Sequence, residues 1–546
     1  MRSGVKVAVV GGIFVVVAGG VGYGGYNLYG GLTGDDGTDS TTASAKTGPP
    51  SADEIDETAK DFLAAWAAGN GPKAAELTNN AAEAGPLLSG YSAQASVSKA
   101  VITPGTAVGA KVPFTVKATV THGGKSMPWS YSSELTVVRG LTSGKPLVDW
   151  LPTVVHPKLT KGASLKTGGA SSPPIKAVDR KGRELTAEKY PSLGPVLDAL
   201  RKKYGATAGG TPGVELVIAS ADAATADQTL LTLAKGKEGK LTTTIDADVQ
   251  AAAETAVKKY GQASVVAIKP STGEIRAIAN SPAGGFNTAV QGAQAPGSTM
   301  KIVTAAMMLI NGVVSGPSAP VECPPTVGWE GVTFQNLDKF EIPNATFKDS
   351  FRRSCNTTFI KAITPLTKKK IAGTALGETA GKYFGIGLDW QTGIVTRDGS
   401  VPESSGGETA ASYIGQGKIT MNALNMASIA ATAKKGSFRQ PVIVPQSLDD
   451  RELATATPLP GSVAQALRDL MRAAATGNGT GAKAMAEAGN GDKGAKTGSA
   501  EVDGQGKSNS WFTGFADDLA AAAVVEAGGH GGDAAGPVVA QVLRAG

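Results

Sequence analysis

Four residues, Ser298-Thr299-Met300-Lys301, constrain this chain more than any other stretch, because they set a lysine at the mouth of the apolar run 302–310. Pro296-Gly297 reads as a turn, and the pattern after it predicts a buried helix over 298–310. Side chains three apart on a helix share a face, so Ser298 and Lys301 are expected to meet. A serine hydroxyl is a poor nucleophile until a base removes its proton, and a lysine is a base only when neutral. Burial beside a second cation lowers a lysine pKa and supplies that condition. The spacing alone decides nothing: Ser96-Val97-Ser98-Lys99 repeats it and reads as a polar patch on a small domain.

At 546 residues the chain is long enough for about three domains, and its 41% hydrophobic and 18% charged content is that of globular protein. The net charge of +6 is spread along the chain, so there is no nucleic-acid footprint. His122, His156 and His530 are the only histidines and lie far apart in sequence. A zinc site or a Ser-His-Asp triad is therefore not expected, and His156 reads as a structural residue at a domain exit.

Arg2 and Lys6 precede a stretch without charge from Val7 to Gly34, closed by Tyr23, Tyr26, Tyr29 and then Asp35-Asp36. An apolar span of ~20 residues crosses a bilayer, and tyrosines favour its interface. The reading is a single-pass anchor over 1–34 with the rest of the chain exported. A cleaved signal peptide ending near Ala43-Ser44-Ala45 is the rival. Residues 35–50, rich in Thr, Ser, Gly and Pro, are a flexible linker. The next unit, 51–162, opens on a helix with Ser51 and Glu54 placed for a capping box. Strand-like runs follow at 112–120, 129–138 and 147–151.

Residues 163–240 are polar and glycine-spotted. They hold a strand-turn-strand pattern over 177–185 and a helix over 190–204. Lys166-Thr167-Gly168 sits in this segment and reads as a chance tripeptide in a linker. From 241 the texture changes: a helix over 251–260, strands over 264–268 and 274–279, then the Ser298 helix at the edge of their sheet. Ser354-Cys355-Asn356 falls in a loop between helices. Gly415-Gln416-Gly417 reads as a tight turn bordering the cleft, ahead of a helix over 422–434. Lys496-Thr497-Gly498-Ser499 opens a strand that pairs with 510–515, and 520–526 supplies another strand.

Ser-x-x-Lys, then Ser-x-Asn, then Lys-Thr-Gly, in that order, is the motif set of penicillin-binding proteins and serine β-lactamases. With Trp511-Phe512-Thr513-Gly514-Phe515 downstream, the chain resembles a class B penicillin-binding protein, closely over 241–546. Met300 stands where that family often has phenylalanine. Val148-Asp149-Trp150-Leu151-Pro152, followed by Val155-His156-Pro157-Lys158-Leu159, resembles the end of the NTF2-like module found ahead of some members. The resemblance implies a multidomain α+β chain of five parts: anchor (1–34), linker (35–50), NTF2-like domain (51–162), dimerisation or pedestal-type domain (163–240) and transpeptidase (241–546). The last is an α/β domain like that of serine β-lactamases, with a central antiparallel sheet.

The same resemblance implies roles. Ser298 attacks the D-Ala-D-Ala carbonyl of a peptidoglycan stem peptide, with Lys301 as base. Ser354 relays the proton to the leaving amine, Asn356 orients substrate and Lys301, and Lys496 supplies a positive field. Thr497, Gly498 and Ser499 bind the substrate strand and its carboxylate, and the Ser298 and Ser499 N–H groups form the oxyanion hole. β-Lactams would acylate the same serine. No cofactor or metal is implied, and no nucleic acid. Partners would be stem peptides, a separate glycosyltransferase, divisome or elongasome proteins, and the cytoplasmic membrane. In an exported chain Cys323 and Cys355, the only cysteines, are expected to pair. Rival functions are a D,D-carboxypeptidase or β-lactamase, both hydrolases, and a non-catalytic β-lactam-binding sensor or division scaffold.

Overall fold

The computed structural model describes residues 48–546 apart from 142, 171, 223 and 224. The anchor expected over 1–34, the rival cleavage site and residues 35–47 of the linker lie outside the described residues. Among those described, no helix is long and apolar enough to cross a membrane.

The N-terminal domain begins with the helix Ala52–Ala67, whose Ser51–Glu54 capping box forms as expected. Phe62, Leu63 and Trp66 repeat at helical spacing and are buried on one face. They pack on a four-stranded antiparallel sheet of Val97–Pro104, Lys111–His122, Lys125–Arg139 and Pro146–Val148, in that order. Lys111–His122 alternates buried and exposed residues, the signature of a sheet with one wet face. Trp66 stands at the centre, 5.1 Å from the Tyr91 ring and 5.9 Å from that of Phe114, both edge-on. His156 stacks on Trp129 at 5.6 Å. Burial, and then the charge of Lys158, lowers its pKa to about 4, so it stays neutral there.

The 163–240 segment differs from its sequence reading. Lys166-Thr167-Gly168 lies not in a linker but in the strand Ser164–Gly169, which pairs with Val214–Ala219, itself paired with Gln228–Ala234. Leu165, Leu216, Ile218 and Leu233 of these strands join the core of the N-terminal domain. Of the pattern at 177–185, only a single bridge between Val178 and Glu184 forms. Ile175–Val178 pairs instead, in parallel, with Gly239–Thr242. The reason is Asp179: its buried carboxylate accepts the backbone N–H groups of Lys181, Arg183 and Ala247, and closes the turn before a second strand can run. The expected helix is a 3-10 turn Pro191–Leu193 running into Gly194–Tyr204. Its Leu193, Val196, Leu200 and Tyr204 enter the C-terminal core.

That core is built on a five-stranded antiparallel sheet. Across it run Ile275–Ser281, Ala263–Ile268, Leu519–Val525, Asn509–Ala516 and Lys493–Ala500. The three central strands are buried along their whole length, as for a sheet covered on both faces. The helix Ala247–Val257, three or four residues earlier than expected because Asp246 caps it, covers one face with Ala535–Arg544. The helices Lys301–Ile310 and Ala423–Lys435 pack in the core on the other side.

Trp66→Ala removes the centre of the N-terminal core and is expected to destabilise that domain by about 3–5 kcal/mol. Thermal denaturation followed by circular dichroism checks it; a midpoint unchanged from the wild type would contradict the packing described.

Candidate active site

The Ser298 segment does not enter its helix at once. Gly297–Met300 is a 3-10 turn and the α-helix proper starts at Lys301. Three residues per turn eclipse side chains at i and i+3, so Lys301 sits directly beneath Ser298. Gly297 allows this with φ +53°, and a Cβ there would lie 2.4 Å from the Ser499 carbonyl oxygen. The turn therefore lies against the open edge strand Lys493–Ala500, across the sheet from the strands that precede it. A Cβ on Gly498 would likewise come within 2.9 Å of the Thr299 nitrogen, so both segments need glycine to approach so closely.

Ser354 stands between the helices Phe347–Arg352 and Asn356–Lys361. Its φ is +61°, a left-handed conformation that a serine holds only when its surroundings enforce it. Two bonds do so here: Ser354 N–H to Phe351 O (3.0 Å) and Cys355 N–H to Ser350 O (2.9 Å). Cys323 and Cys355 are joined in a disulfide that ties this loop to residues 321–325. The second helix is capped from a distance by Asn336. Its Oδ1 accepts the N–H groups of Asn356 (2.7 Å) and Thr357 (3.2 Å). Its Nδ2 donates to the carbonyls of Pro324 and Phe340, both at 2.8 Å.

The motifs converge. Lys301 Nζ lies 2.9 Å from Ser298 Oγ, 2.8 Å from Ser354 O, 2.6 Å from Asn356 Oδ1 and 3.4 Å from Ser354 Oγ. Lys496 Nζ donates to Ser354 Oγ and to Thr497 O, both at 2.8 Å. The Ser354 hydroxyl thus bridges two amines. Both lysines are 0% exposed, while Ser298 and Ser354 are half-buried and reachable. The Lys301 amine faces the Phe359 ring at 5.4 Å, and that of Lys496 the Phe351 ring at 5.7 Å. Burial, with the charge of Lys496 second, holds the Lys301 pKa well below its ordinary value. Burial brings that of Lys496 down to about 7.

The neutral form of Lys301 fits its neighbours atom by atom. Ser354 O and Asn356 Oδ1 are carbonyl oxygens and only accept, so they take both hydrogens of an NH2 group. The remaining lone pair then faces Ser298 Oγ–H, which is what a base for that hydroxyl requires.

The other expected positions are placed as follows. Thr497 meets Thr480, hydroxyl to hydroxyl at 2.8 Å. The Ser499 carbonyl takes a hydrogen bond from Gln416 Nε2 at 3.2 Å. Gly498 pairs with Trp511 across the ladder. Of the repeated spacing Ser96-Val97-Ser98-Lys99, Ser96 stands just ahead of the strand Val97–Pro104 and the rest lies in it, and Lys166-Thr167-Gly168 lies in the strand Ser164–Gly169, both in the N-terminal half. Sequence reasoning missed Thr480 and Asn336. Thr480 had a signal, the glycine-rich turn Gly477-Asn478-Gly479-Thr480-Gly481. Asn336 had none.

The model of the penicillin binding protein transpeptidase domain matches residues 263–544, and that of the NTF2-like N-terminal transpeptidase domain matches 54–163. The chain is 28% identical over 259 residues to the peptidoglycan D,D-transpeptidase PbpA of Mycobacterium tuberculosis, covering 40% of this chain and 50% of the relative. It is 28% identical over 292 residues to PbpA of Mycolicibacterium smegmatis, covering 43% and 56%. The chain spans about half the length of the curated relatives it matches. Pseudomonas aeruginosa PBP2, solved in complex with WCK 5153, aligns with a TM-score of 0.54 at 21% identity over 68% of this chain and 96% of that one. The D,D-transpeptidase domain of a peptidoglycan glycosyltransferase from Eggerthella lenta gives 0.52 at 21%, over 69% and 98%. A chain of a peptidoglycan synthase complex gives 0.53 at 21%, over 71% and 92%. The fold is thus the mixed α/β transpeptidase fold with its central antiparallel sheet, preceded by an NTF2-like domain.

Asn336→Ala leaves two amides at a helix start without an acceptor. It is expected to lower stability by about 1–3 kcal/mol and to speed hydrogen exchange at Asn356 and Thr357. Exchange rates equal to wild type at those two amides would contradict the cap.

Proposed function

This chain belongs to the penicillin-binding protein transpeptidase family, and from that premise we propose that it is a serine-type peptidoglycan D,D-transpeptidase that penicillin and other β-lactams acylate. The observation that carries the proposal is the buried amine of Lys301, whose Nζ lies 2.9 Å from Ser298 Oγ.

In the proposed reaction Ser298 Oγ attacks the carbonyl carbon of the penultimate D-alanine while Lys301 takes its proton. The tetrahedral oxyanion is held by the backbone N–H groups of Ser298 and Ser499. Ser354, hydrogen-bonded to both amines, hands a proton to the departing nitrogen. The amide C–N bond breaks, D-alanine leaves, and an ester to Ser298 remains. The amine of a second stem peptide then attacks the ester, loses its proton through the same relay, and frees Ser298 as the cross-link forms. Asn356 holds Lys301 from one side and lies at the cleft to meet the substrate amide. Lys496 in its ammonium form supplies the positive field that attracts the terminal carboxylate, and the hydroxyls of Thr497 and Ser499 hydrogen-bond it. Gly498 leaves room for a substrate strand along the open edge.

The proposal extends to the whole chain. Residues 1–34 anchor it in the cytoplasmic membrane as a single span, and 35–50 are a spacer. Residues 51–162 form the NTF2-like domain, 163–240 the pedestal, and 241–546 the extracytoplasmic transpeptidase. Residues 51–162 are too short and too strand-rich for a glycan polymerase, so a separate glycosyltransferase and other divisome or elongasome proteins are the proposed partners. The similarity in fold to a chain of a peptidoglycan synthase complex that coordinates polymerisation and cross-linking supports that reading.

Intact-protein mass spectrometry after exposure to penicillin is expected to find one adduct on the wild type and none on Ser298→Ala. With a D-Ala-D-Ala peptide and an acceptor amine, D-alanine release is expected to match cross-linked product. Release without product would make the protein a hydrolase.

The pH dependence follows from the two lysines. Acylation needs Lys301 neutral, so the rate climbs as pH rises through its depressed pKa. It needs Lys496 charged, so the rate declines as pH passes about 7. Lys496→Arg keeps the charge and is expected to react more slowly overall, with no alkaline decline up to about pH 9. An alkaline limb unmoved by that substitution would assign it to another group.

A further inference from the structure

Gly415-Gln416-Gly417 is not absorbed by the reaction just described, yet it touches both halves of the proposed oxyanion hole. Gly415 O accepts the N–H of Gly297, the residue before Ser298, at 2.8 Å. The contact is so close that a Cβ on Gly415, whose φ is +80°, would fall 1.9 Å from Gly297 O. From the next residue, the Gln416 carboxamide reaches the edge strand and donates Nε2–H to Ser499 O at 3.2 Å. The turn itself is braced. Gln416 N–H donates to Ala411 O at 2.9 Å, and Lys418 N–H donates to the Glu408 carboxylate at 2.6 Å. Two consecutive residues of a rigid turn therefore grip the segment carrying the Ser298 N–H and the segment carrying the Ser499 N–H.

Lys493–Ala500 is an edge strand, with a neighbour on one side only. Ladder bonds to Asn509–Ala516 hold its inner side, and Gln416 supplies a side-chain tie outside that ladder. A carbonyl oxygen has two lone pairs, so the Gln416 bond leaves Ser499 O able to accept a second donor.

We propose that Gln416 is a positioning residue for the oxyanion hole: by holding the Ser499 carbonyl, its carboxamide fixes the strand at Ser499, whose N–H lies in the preceding peptide, at the distance from Ser298 at which both N–H groups reach one oxygen. This rests on the transpeptidase reading above. Gln416 touches no reacting atom; it acts through Ser499, in acylation and again when the ester is resolved, because both steps pass through an oxyanion.

The test is stopped-flow acylation by a fluorescent penicillin, with the binding constant and the acylation rate constant separated by concentration dependence. Wild type, Ser298→Ala, Gln416→Leu and Gln416→Glu are compared. Gln416→Leu is expected to lower the acylation rate constant by about 10–100-fold, with the binding constant changed less than about threefold. Gln416→Glu has the same shape, but its carboxylate only accepts when ionised and can donate once protonated. Its rate relative to wild type is expected to rise at least about fivefold from about pH 8 to about pH 5, while the Gln416→Leu ratio stays flat. A loss confined to binding, a Gln416→Leu rate within about threefold of wild type, or equal pH trends for the two variants would overturn the inference. If Gln416→Leu fails to fold by circular dichroism, the Gln416→Glu pH series decides alone. An acylated wild type beside a normal Gln416→Leu removes this inference only. A folded wild type that takes no adduct removes the transpeptidase reading, and the inference with it.

Discussion

Two amines buried in one cleft cannot both stay charged. Desolvation penalises each ammonium, and each penalises the other across the Ser354 hydroxyl they share. The arrangement resolves this by unequal surroundings. Lys301 is faced by two carbonyl oxygens, which take the two hydrogens of a neutral amine, and by the hydroxyls of Ser298 and, more distantly, Ser354, either of which can donate to its lone pair. Lys496 is given one carbonyl, one hydroxyl and the face of the Phe351 ring, surroundings in which an ammonium can still be held. The difference in hydrogen-bond partners, more than the depth of burial, separates the base from the cation.

That difference holds only while three independent segments keep their places. The 3-10 turn presents Ser298 above Lys301, the strained loop at Ser354 turns a carbonyl and a hydroxyl inward, and the edge strand carries Lys496. Each is fixed by something other than its reacting side chains. Gly297 and Gly498 let the turn and strand approach within a distance no side chain would permit. The disulfide and Asn336 hold the loop that supplies Ser354 and Asn356. Gln416 joins strand to turn. Removing any one leaves the reacting side chains in place and their geometry free to drift, and a small drift suffices to lose a lone pair's alignment.

The elements legible in the sequence were those whose physical cause is local. Ser51 with Glu54, the strand over 112–120 and the pairing of the strand opened by Lys496 with 510–515 each follow from nearby residues, and each formed as read. So did the convergence of Ser298, Lys301, Ser354, Asn356 and Lys496, because three ordered motifs carry joint information that none carries alone. What could not be read depends on distant partners. Asn336 caps a helix twenty residues away in sequence. The strand Ser164–Gly169 looks like a polar linker until Val214–Ala219 pairs with it. Asp179 ended an apparent hairpin by drawing Ala247 into its turn. Side chains that serve remote backbone leave no periodicity to detect.

The helix Gly194–Tyr204 shows why residues 163–240 resist description as a self-contained unit. On one side Val196, Leu200 and Tyr204 are buried in the C-terminal core. On the other, Arg201 makes a two-pronged ion pair with Glu215, at 2.9 Å through each nitrogen, and Glu215 lies on a strand whose Leu216 and Ile218 belong to the N-terminal core. Arg201 also donates to the carbonyls of Ser172 and Pro173, so its planar fork has little freedom left. Pulling the two cores apart would strip apolar side chains worth roughly 1.5–3 kcal/mol each from one face of this helix, or leave a largely buried guanidinium without its carboxylate on the other. Neither loss is small against a net stability of about 5–15 kcal/mol. The segment therefore couples the two cores, by packing on one face of this helix and by an ion pair on the other.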